Sequence, residues 1–366
     1  MKYPNAVVFI LDAGGTGFKF LVMQDAHEII EPFTIPSASP TLEGVLQKII
    51  DGFHQCEEKC GMKPTAISFC FPGPADYPNG IIGDLETLPT FRGGIPLKQV
   101  LENEFKVPVY INNDGDLFVY GEAIGGVLPD VNAMLERNGN PKRYKNLFGV
   151  TLGTGFGGGL VVDRQLFIGD NSAGTEINRC SNVLYPDTSC EDSVTIRAIR
   201  RVYAREAGID FSTAPEPKVI ADIALGKAEG NREAALKAWD ELATVLADVL
   251  TNCACMTDGI IVIGGGLSGA WQLFLPRVVE LMNKPYTCLD GHTMPRMETE
   301  AFDLESEAGR KAFCQVAGSK VKVPFSDQEV WYDPTKRVGV CVTQLGTSSA
   351  VAVGAYAYAI HQLEMR

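Results

Sequence analysis

Two glycine-rich turns between apolar segments contain residues suited to binding phosphate. The first is Asp12-Ala-Gly-Gly-Thr16, which separates the apolar runs AVVFIL and FKFLVMQ. The second is Gly153-Thr-Gly-Phe-Gly-Gly158, which lies between NLFGVTL and LVVD. Glycine lets the backbone approach a ligand closely, and the exposed N–H groups of such turns form an anion-binding nest. One such turn alone is most simply a tight turn without a ligand, but two of them predict a polyphosphate site. The predicted ligands in the turns are Gly14, Gly15, Thr16, Gly153, Thr154 and Gly155.

The carboxylate of the first turn extends this prediction to a metal ion. Mg²⁺ bound with a nucleotide is usually held by one or two carboxylates, phosphate oxygens and water. Asp12 is therefore the candidate ligand of Mg²⁺, either directly or through a bound water.

The segments GTGFGG (153–158) and GGGLSG (264–269) also match the G-x-G-x-x-G fingerprint of dinucleotide-binding proteins. That fingerprint requires a strand before the glycines and a helix after them. The first match runs into a strand. The second precedes a helical pattern, but no clear strand follows to complete the unit. An oxidoreductase is thus the weaker interpretation, and Gly264, Gly265 and Gly266 are predicted to contact the adenosine of a nucleotide.

A third candidate group follows the predicted strand VPVYIN, where the sequence reads Asn112-Asn113-Asp114. Ligands of open α/β sheets bind at the carboxyl ends of strands. There, Asp114 could accept a proton from an attacking hydroxyl that Asn113 orients. The alternative is that Asp114 only caps the next helix, and the pattern does not decide between the two.

The order of predicted elements indicates a duplicated scaffold. Residues 1–122 read as three antiparallel strands followed by βα units, and residues 123–345 repeat that plan around the second glycine turn. The prediction is therefore two α/β lobes facing each other. The last helix, about residues 346–366, is expected to pack back on the first lobe. Residues 128–147 and 285–336 are interpreted as insertions because they are polar and irregular.

Composition excludes several classes of protein. The chain of 366 residues has a net charge of −13, which argues against a nucleic-acid-binding surface. No apolar run reaches 18 residues and the first run is too short for a signal peptide, so we expect a cytoplasmic protein that does not enter membranes. The ten cysteines lie mostly in apolar runs, as buried free thiols do. His54, Cys56 and Cys60 are a weak alternative as metal ligands, since no second ligand pair follows.

Taken together, these segments resemble the ROK family of sugar kinases, within the hexokinase–actin–chaperone ATPase superfamily. The resemblance rests on LDAGGTGFKF, on FPGPADYPNGI with the segment up to YINNDGDLFVYGEA, on LGTGFGGGLVVD and on IIVIGGGLS. It implies a duplicated actin-like (ribonuclease H-like) ATPase fold with a nucleotide cleft between two lobes. It also implies ATP and Mg²⁺ as cofactors, Asp114 as the general base, Asn113 as a sugar ligand, and a homodimer.

One segment, AGTEINRCSNVLYPDTSCEDS, departs from the family pattern of Glu-x-Gly-His followed by a Cys-x-Cys-Gly-x-x-Gly-Cys zinc motif and a glutamate. Glu176 stands at the position of the sugar-binding glutamate, Arg179 replaces the histidine, and only Cys180 and Cys190 are present. We therefore expect no structural zinc. Glu191 is the candidate for the second sugar-binding glutamate. Arg179 is either a ligand for an acidic or modified sugar or part of an ion pair that replaces the metal.

The usual Asn-Leu-Pro of the family is also changed here, to Thr87-Leu88-Pro89. The prediction is thus an ATP-dependent kinase for a hexose or an N-acetylhexosamine with an altered sugar pocket. The alternative is a sugar-binding protein on the same fold with little or no kinase activity.

Overall fold

The computed structural model describes residue 3, residues 5–14 and residues 17–366, so the predicted ligands Gly15 and Thr16 lie outside the described residues. The chain divides into two compact units. The first contains the described residues up to Gly126 together with Gln165–Gly174 and Leu345–Arg366, and the second contains Val127–Arg164 and Thr175–Gln344.

The elements of the first unit are β1 (Val7–Ala13), β2 (Gly17–Gln24), β3 (His27–Glu28), β4 (Phe33–Pro36), α1 (Leu42–Cys60), β5 (Ala66–Cys70), β6 (Ala75–Asp76), β7 (Ile81–Ile82), α2 (Leu97–Phe105), β8 (Val109–Asn112), α3 (Asp114–Gly125), β11 (Gln165–Phe167) and α10 (Thr347–Met365). Its main sheet has the order β3-β2-β1-β5-β8, with β4 also paired to β2. The predicted hairpin is confirmed, because β1 and β2 are antiparallel, whereas β1, β5 and β8 run parallel.

Helix α1 shows how the sequence builds one face of this sheet. The Thr41 side chain caps its first turn by accepting a hydrogen bond from the Gly44 N–H, and Gly61 ends it in the left-handed region at φ 67°. Its buried residues include Val45, Ile49 and Phe53, whose spacing places them on one face. Cys56 belongs to this buried face, where burial raises its pKa to about 12, as expected for a core thiol rather than a metal ligand.

Helices α3 and α10 pack together so closely that only glycine fits at their contact. A Cβ on Gly121 would lie 1.9 Å from the Ala350 carbonyl oxygen, and a Cβ on Gly354 would lie 1.9 Å from the Leu117 carbonyl oxygen. The last helix of the chain therefore rests directly on the helix that begins at Asp114.

The elements of the second unit are α4 (Val127–Arg137), β9 (Leu147–Leu152), β10 (Phe156–Val162), α5 (Ile196–Ala207), α6 (Pro217–Ala224), α7 (Arg232–Thr257), β12 (Ile260–Gly264), α8 (Leu275–Met282), β13 (Tyr286–Thr287), β14 (Thr293–Met294), β15 (Glu300–Asp303), α9 (Glu307–Cys314), β16 (Ser319–Lys322), β17 (Glu329–Tyr332) and β18 (Arg337–Val342). Along its sheet the order is β10-β9-β12-β18-β15. As in the first unit, an antiparallel hairpin, β9–β10, is followed by parallel strands.

Three segments differ from the sequence prediction. The first half of residues 128–147 is helical, because α4 occupies Val127–Arg137. The predicted helix after the Gly264–Gly266 glycines begins as a 3₁₀ helix (Gly266–Leu273), and α8 starts only at Leu275, next to Pro276. Two parallel strands, β15 and β18, do follow in the same sheet. They were not recognised in the sequence, because β15 lies within residues 285–336 beside two short hairpins, and β18 comes only after that interval. Within the described part of the chain, no helix is both long and apolar enough to cross a membrane.

Candidate active site

The carboxyl ends of three neighbouring parallel strands bring the predicted catalytic residues of the first unit together. In the strand register, Asp12 of β1 lies opposite Cys70 of β5, and Cys70 lies opposite Asn112 of β8. The Cys70 thiol donates to the Asp12 carboxylate at an S···O distance of 3.5 Å. Asn113 and Asp114 follow immediately, at the edge where an open α/β sheet binds its ligands.

The start of α3 resolves the question of which residue caps the helix. Asn113 is the N-cap, and its side-chain oxygen accepts a hydrogen bond of 2.7 Å from the Gly115 N–H. Asp114 is the first residue of the helix, and one of its oxygens accepts from the same N–H at 2.9 Å. Asn113 is thus the N-cap, and Asp114, which shares the Gly115 N–H through one oxygen, keeps acceptor capacity on its carboxylate toward a substrate.

The environment of Asp114 favours its protonated form. Loss of hydration raises the pKa of the Asp114 carboxyl; the Gly115 N–H bond opposes this, and the charge of Asp12 raises the pKa further. Asp114 is nevertheless exposed at the protein surface, so a substrate can reach its carboxylate. Burial also raises the pKa of the Cys70 thiol well above its usual range, as do the Asp12 and Asp114 charges, so Cys70 is a neutral hydrogen-bond donor.

Tyr77 supports the amide of Asn113. The Tyr77 hydroxyl donates to the Phe71 carbonyl oxygen at 2.9 Å and also shares a hydrogen bond with the Asn113 side chain. Because the Asn113 oxygen already accepts from Gly115 and its amide contacts Tyr77, the orientation of this amide is fixed before a ligand arrives. Sequence reasoning missed both residues: Cys70 reads as apolar core, and Tyr77 lies in the segment FPGPADYPNGI without a feature that marks its role.

In the second unit, the turn between β9 and β10 is tied to Glu191. The turn closes through a hydrogen bond of 3.0 Å from the Gly153 N–H to the Gly155 carbonyl oxygen. A Glu191 oxygen accepts the Phe156 N–H at 3.0 Å, and a Cβ on Gly155 would lie 3.3 Å from that oxygen. Glu191, predicted as a sugar ligand, thus also anchors the second glycine turn, where Thr154 and Gly155 are exposed.

The third glycine segment lies beside this turn, at the end of the adjacent parallel strand. Gly264 of β12 is in register with Thr151 of β9. Gly265 adopts φ 85°, and a Cβ there would lie 2.3 Å from the Leu152 carbonyl oxygen, so both its conformation and its packing require glycine. Next to it, Gly266 has open space in front of it.

A cavity of about 380 Å³ opens from this segment. Its lining includes Gly266, Gly269, Lys218, Leu225 and Trp239. Trp239 is 1% exposed and stacks on Phe274, yet its indole N–H has no hydrogen-bond partner in the described protein. A cavity of this size with a buried free donor fits a planar heterocycle that carries acceptor nitrogens.

The loop that contains Glu176 and Arg179 is organised by hydrogen bonds. Glu176 and Arg179 are exposed, and within the described residues no ion pair involves Arg179. Asn182 is 1% exposed; its amide donates to Ser189 and Ser193 at 3.2 and 2.8 Å, and its oxygen accepts from the backbone of residues 184 and 185.

A charged cluster fixes the same loop to the helices beneath it. The Tyr185 hydroxyl donates to the nearly buried Glu241 of α7 and accepts from Arg205 of α5 at 2.9 Å. Arg205 and Glu241 are also joined directly at 2.7 Å. Cys180 is exposed, whereas the buried Cys190 thiol donates to the Ile177 carbonyl oxygen at 3.0 Å. Neither belongs to a three-ligand cluster of the kind that holds a metal, among the residues described.

These features are those of the actin-like ATPase fold class, with hairpin-first α/β units and glycine turns at their strand ends. The particular family is established by its sequence model, which matches residues 8–301: the chain belongs to the ROK family. A solved structure of a glucokinase from Parabacteroides distasonis is 45% identical to this chain, with a TM-score of 0.91 and 99% of each chain covered.

More distant relatives are also sugar kinases. A glucokinase from Halalkalibacterium halodurans is 25% identical over 288 residues, which cover 72% of this chain and 82% of the relative. An N-acetyl-D-glucosamine kinase from Vibrio parahaemolyticus is 26% identical over 275 residues, which cover 70% and 83%. The predicted family, fold class and enzyme class, a carbohydrate kinase, are confirmed.

Proposed function

We propose that the protein transfers the γ-phosphoryl group of ATP to a hydroxyl of a hexose or an N-acetylhexosamine, with Asp114 as the general base. The observation that carries this proposal is the meeting of Asp12, Asn113 and Asp114 at one strand edge, together with the raised pKa of Asp114. A carboxylate with poor hydration and a negative neighbour binds a proton more readily than an ordinary one. It can therefore take the hydroxyl proton as the sugar oxygen attacks.

Asn113 orients the sugar in this proposal. Its carbonyl oxygen is occupied by Gly115, so its amide N–H groups are the part that a sugar hydroxyl can contact. Glu176, Arg179 and Glu191 are proposed as further sugar ligands. Of these, Glu191 links sugar binding to the phosphate turn because it also holds the Phe156 N–H.

Asp12 is the proposed protein ligand of the magnesium ion that accompanies ATP. One of its oxygens receives the Cys70 thiol, which leaves its other acceptor sites for the ion or for a water bound to it. When bound, the ion neutralises charge on the phosphates during transfer. The second glycine turn supplies backbone N–H groups to the phosphates, and the Trp239 cavity holds the adenine ring. No structural zinc is proposed, because hydrogen bonds from Asn182 and the Tyr185–Glu241–Arg205 cluster already organise the loop.

The test is ADP release from Mg·ATP, coupled to a spectrophotometric assay, over a panel of hexoses, hexosamines and N-acetylhexosamines. Glucose comes first, because the relative that is 45% identical is a glucokinase. Asp114→Asn should lower kcat by roughly 10²–10⁴-fold while the Kd of the sugar changes little. Asp130→Asn, on the exposed face of α4, is the matched control and should retain full activity. Full activity in Asp114→Asn would remove Asp114 from the mechanism. Silence across the panel with ATP still bound would favour the sugar-binding alternative.

A further inference from the structure

In addition to the cavity at Gly266 in the second unit, a cavity of about 380 Å³ lies in the first unit, beside the edge strand β8. Its walls come from β8, from Lys98 of α2, from the segment after β6 and from the end of α10. Asp12, Asn113 and Asp114 do not line it, whereas Tyr77, which contacts Asn113, does, so the cavity adjoins the candidate active site without including its carboxylates.

Two buried polar groups in this cavity have no partner in the described protein. Tyr110 is 8% exposed and Asn112 is 1% exposed, and both line the cavity. The Tyr110 hydroxyl and the Asn112 amide nitrogen make no hydrogen bond. Burying such groups without partners is unfavourable, and native proteins satisfy nearly all of them. Tyr110 and Asn112 are two residues apart on one strand, so their side chains share a face and can serve one ligand.

The charges around the cavity favour an anion. The Lys98 ammonium donates to the Pro78 carbonyl oxygen at 3.2 Å, which leaves two of its three N–H groups available. The Arg366 guanidinium lies 5.8 Å from the centre of the Tyr110 ring. The nearby acid, Glu102, accepts the Val109 N–H at 3.2 Å. The cavity thus presents two cations and two neutral donors. Among the described residues, the nearby carboxylates include Glu102, which already has a backbone partner, and the buried Asp116, whose charge acts on the lining residues Tyr77 and Tyr358.

We propose that this cavity is a binding site for a small phosphate monoester. A phosphate group offers three acceptor oxygens and a charge of about −1.5 to −2, which match the donors and the two cations. The apolar part of the wall, including Ile111 and Tyr358, accommodates the organic portion.

The experiment is isothermal titration of the full chain with glycerol 3-phosphate, in saturating Mg·AMPPNP to occupy the predicted nucleotide site. Inorganic phosphate and glycerol are titrated in parallel. We expect one equivalent of glycerol 3-phosphate to bind, weaker binding of inorganic phosphate, and none of glycerol. Lys98→Met should raise the Kd at least tenfold and Tyr110→Phe about fivefold. Lys237→Met, an exposed lysine on α7 of the second unit, should leave the Kd unchanged.

None of the titrated compounds is a sugar substrate and no turnover is measured, so the binding result does not depend on the proposed kinase activity. If neither phosphate binds saturably, the inference is wrong. It is equally wrong if Lys98→Met and Tyr110→Phe bind the two phosphates with the Kd values of the unchanged protein, since the anion would then occupy another site. A thermal unfolding curve of each variant establishes that it is folded. If Lys98→Met does not fold, the Kd of Tyr110→Phe alone tests the inference.

Discussion

Adding one methyl group at Gly354 would test whether the contact between α10 and α3 holds Asp114 in position. A Cβ at Gly354 would lie 1.9 Å from the Leu117 carbonyl oxygen, whereas ordinary contact begins at 3.4 Å. The helices must therefore separate by about 1.5 Å, or one of them must distort. The added atom meets backbone rather than a flexible side chain, so the strain has no cheap local relief.

The expected magnitude follows from two opposing effects. Overpacking of this kind destabilises by about 1–3 kcal/mol, and alanine recovers up to ~1 kcal/mol through its better helix propensity. We expect a net loss of about 2 kcal/mol and a Tm lower by roughly 4–8 °C. Displacement of α3 also moves Asp114 at its start, and an error of this size in the position of a catalytic group lowers kcat by roughly 10²-fold.

The assay is kcat, measured well below the Tm of the variant, beside a thermal unfolding curve. Gly121→Ala probes the same contact from the other helix and should behave alike. Gly125→Ala is the matched control, because its Cβ would meet only the Val353 side chain, at 3.2 Å, at the far end of α3 from Asp114. An unchanged Tm in Gly354→Ala would refute the packing argument. A lowered Tm with wild-type kcat would show that α3 does not transmit the displacement to Asp114.

Three further predictions concern charge, nucleobase and metal. Because the pKa of Asp114 is raised in the folded state, its ionised form opposes folding at neutral pH. Asp114→Asn should therefore raise the Tm at pH 7. This gain should vanish at acid pH, where Asp114 is protonated. The same shift should place the acid limb of the kcat profile above the ordinary aspartate pKa, and a limb at or below it would contradict the assignment. Trp239→Phe should raise the KM for ATP about fivefold and leave the KM for the sugar unchanged. The control is Trp271→Phe, which lies outside the cavity and should keep the kinetics of the unchanged protein. Dialysis against a chelator should leave the Tm of the protein unchanged, whereas Asn182→Ala should lower the Tm. The view that hydrogen bonds organise the loop is wrong if the protein contains near-stoichiometric zinc and its Tm falls when the zinc is removed.

The hairpins, the strand ends and the glycine turns were predictable because their signals are local. Alternating apolar segments around Asp12 and around Gly153 contain enough information to assign both hairpins, and both are present. Parallel strands then bring Asp12 and Asn113 to one edge without further information. The boundaries of the second unit were harder to predict, because β15 and β18 are separated by helix α9 and the short β16–β17 hairpin.

The supporting residues could not be predicted for a different reason. Cys70 and Tyr77 act through contacts with residues that are distant in sequence, and their types are those of ordinary core positions. The same holds for Trp239, whose free N–H has meaning only once the cavity at Gly266 is known. Glu191 illustrates a third case, since its contact with Phe156 spans 35 residues and gives a predicted sugar ligand an additional role in the phosphate turn.

The two sheets show how one architecture can be adapted to opposite chemical tasks. The order β2-β1-β5-β8 of the first unit has its counterpart in β10-β9-β12-β18 of the second. In the first, the strand ends bear the carboxylates Asp12 and, just beyond β8, Asp114. In the second, the ends of β9 and β12 bear glycines, whose N–H groups are the only donors they can offer. Carboxylates accept protons and bind cations, whereas bare N–H groups bind anions. At corresponding strand ends the two units thus present different groups, carboxylates in the first and glycine N–H groups in the second.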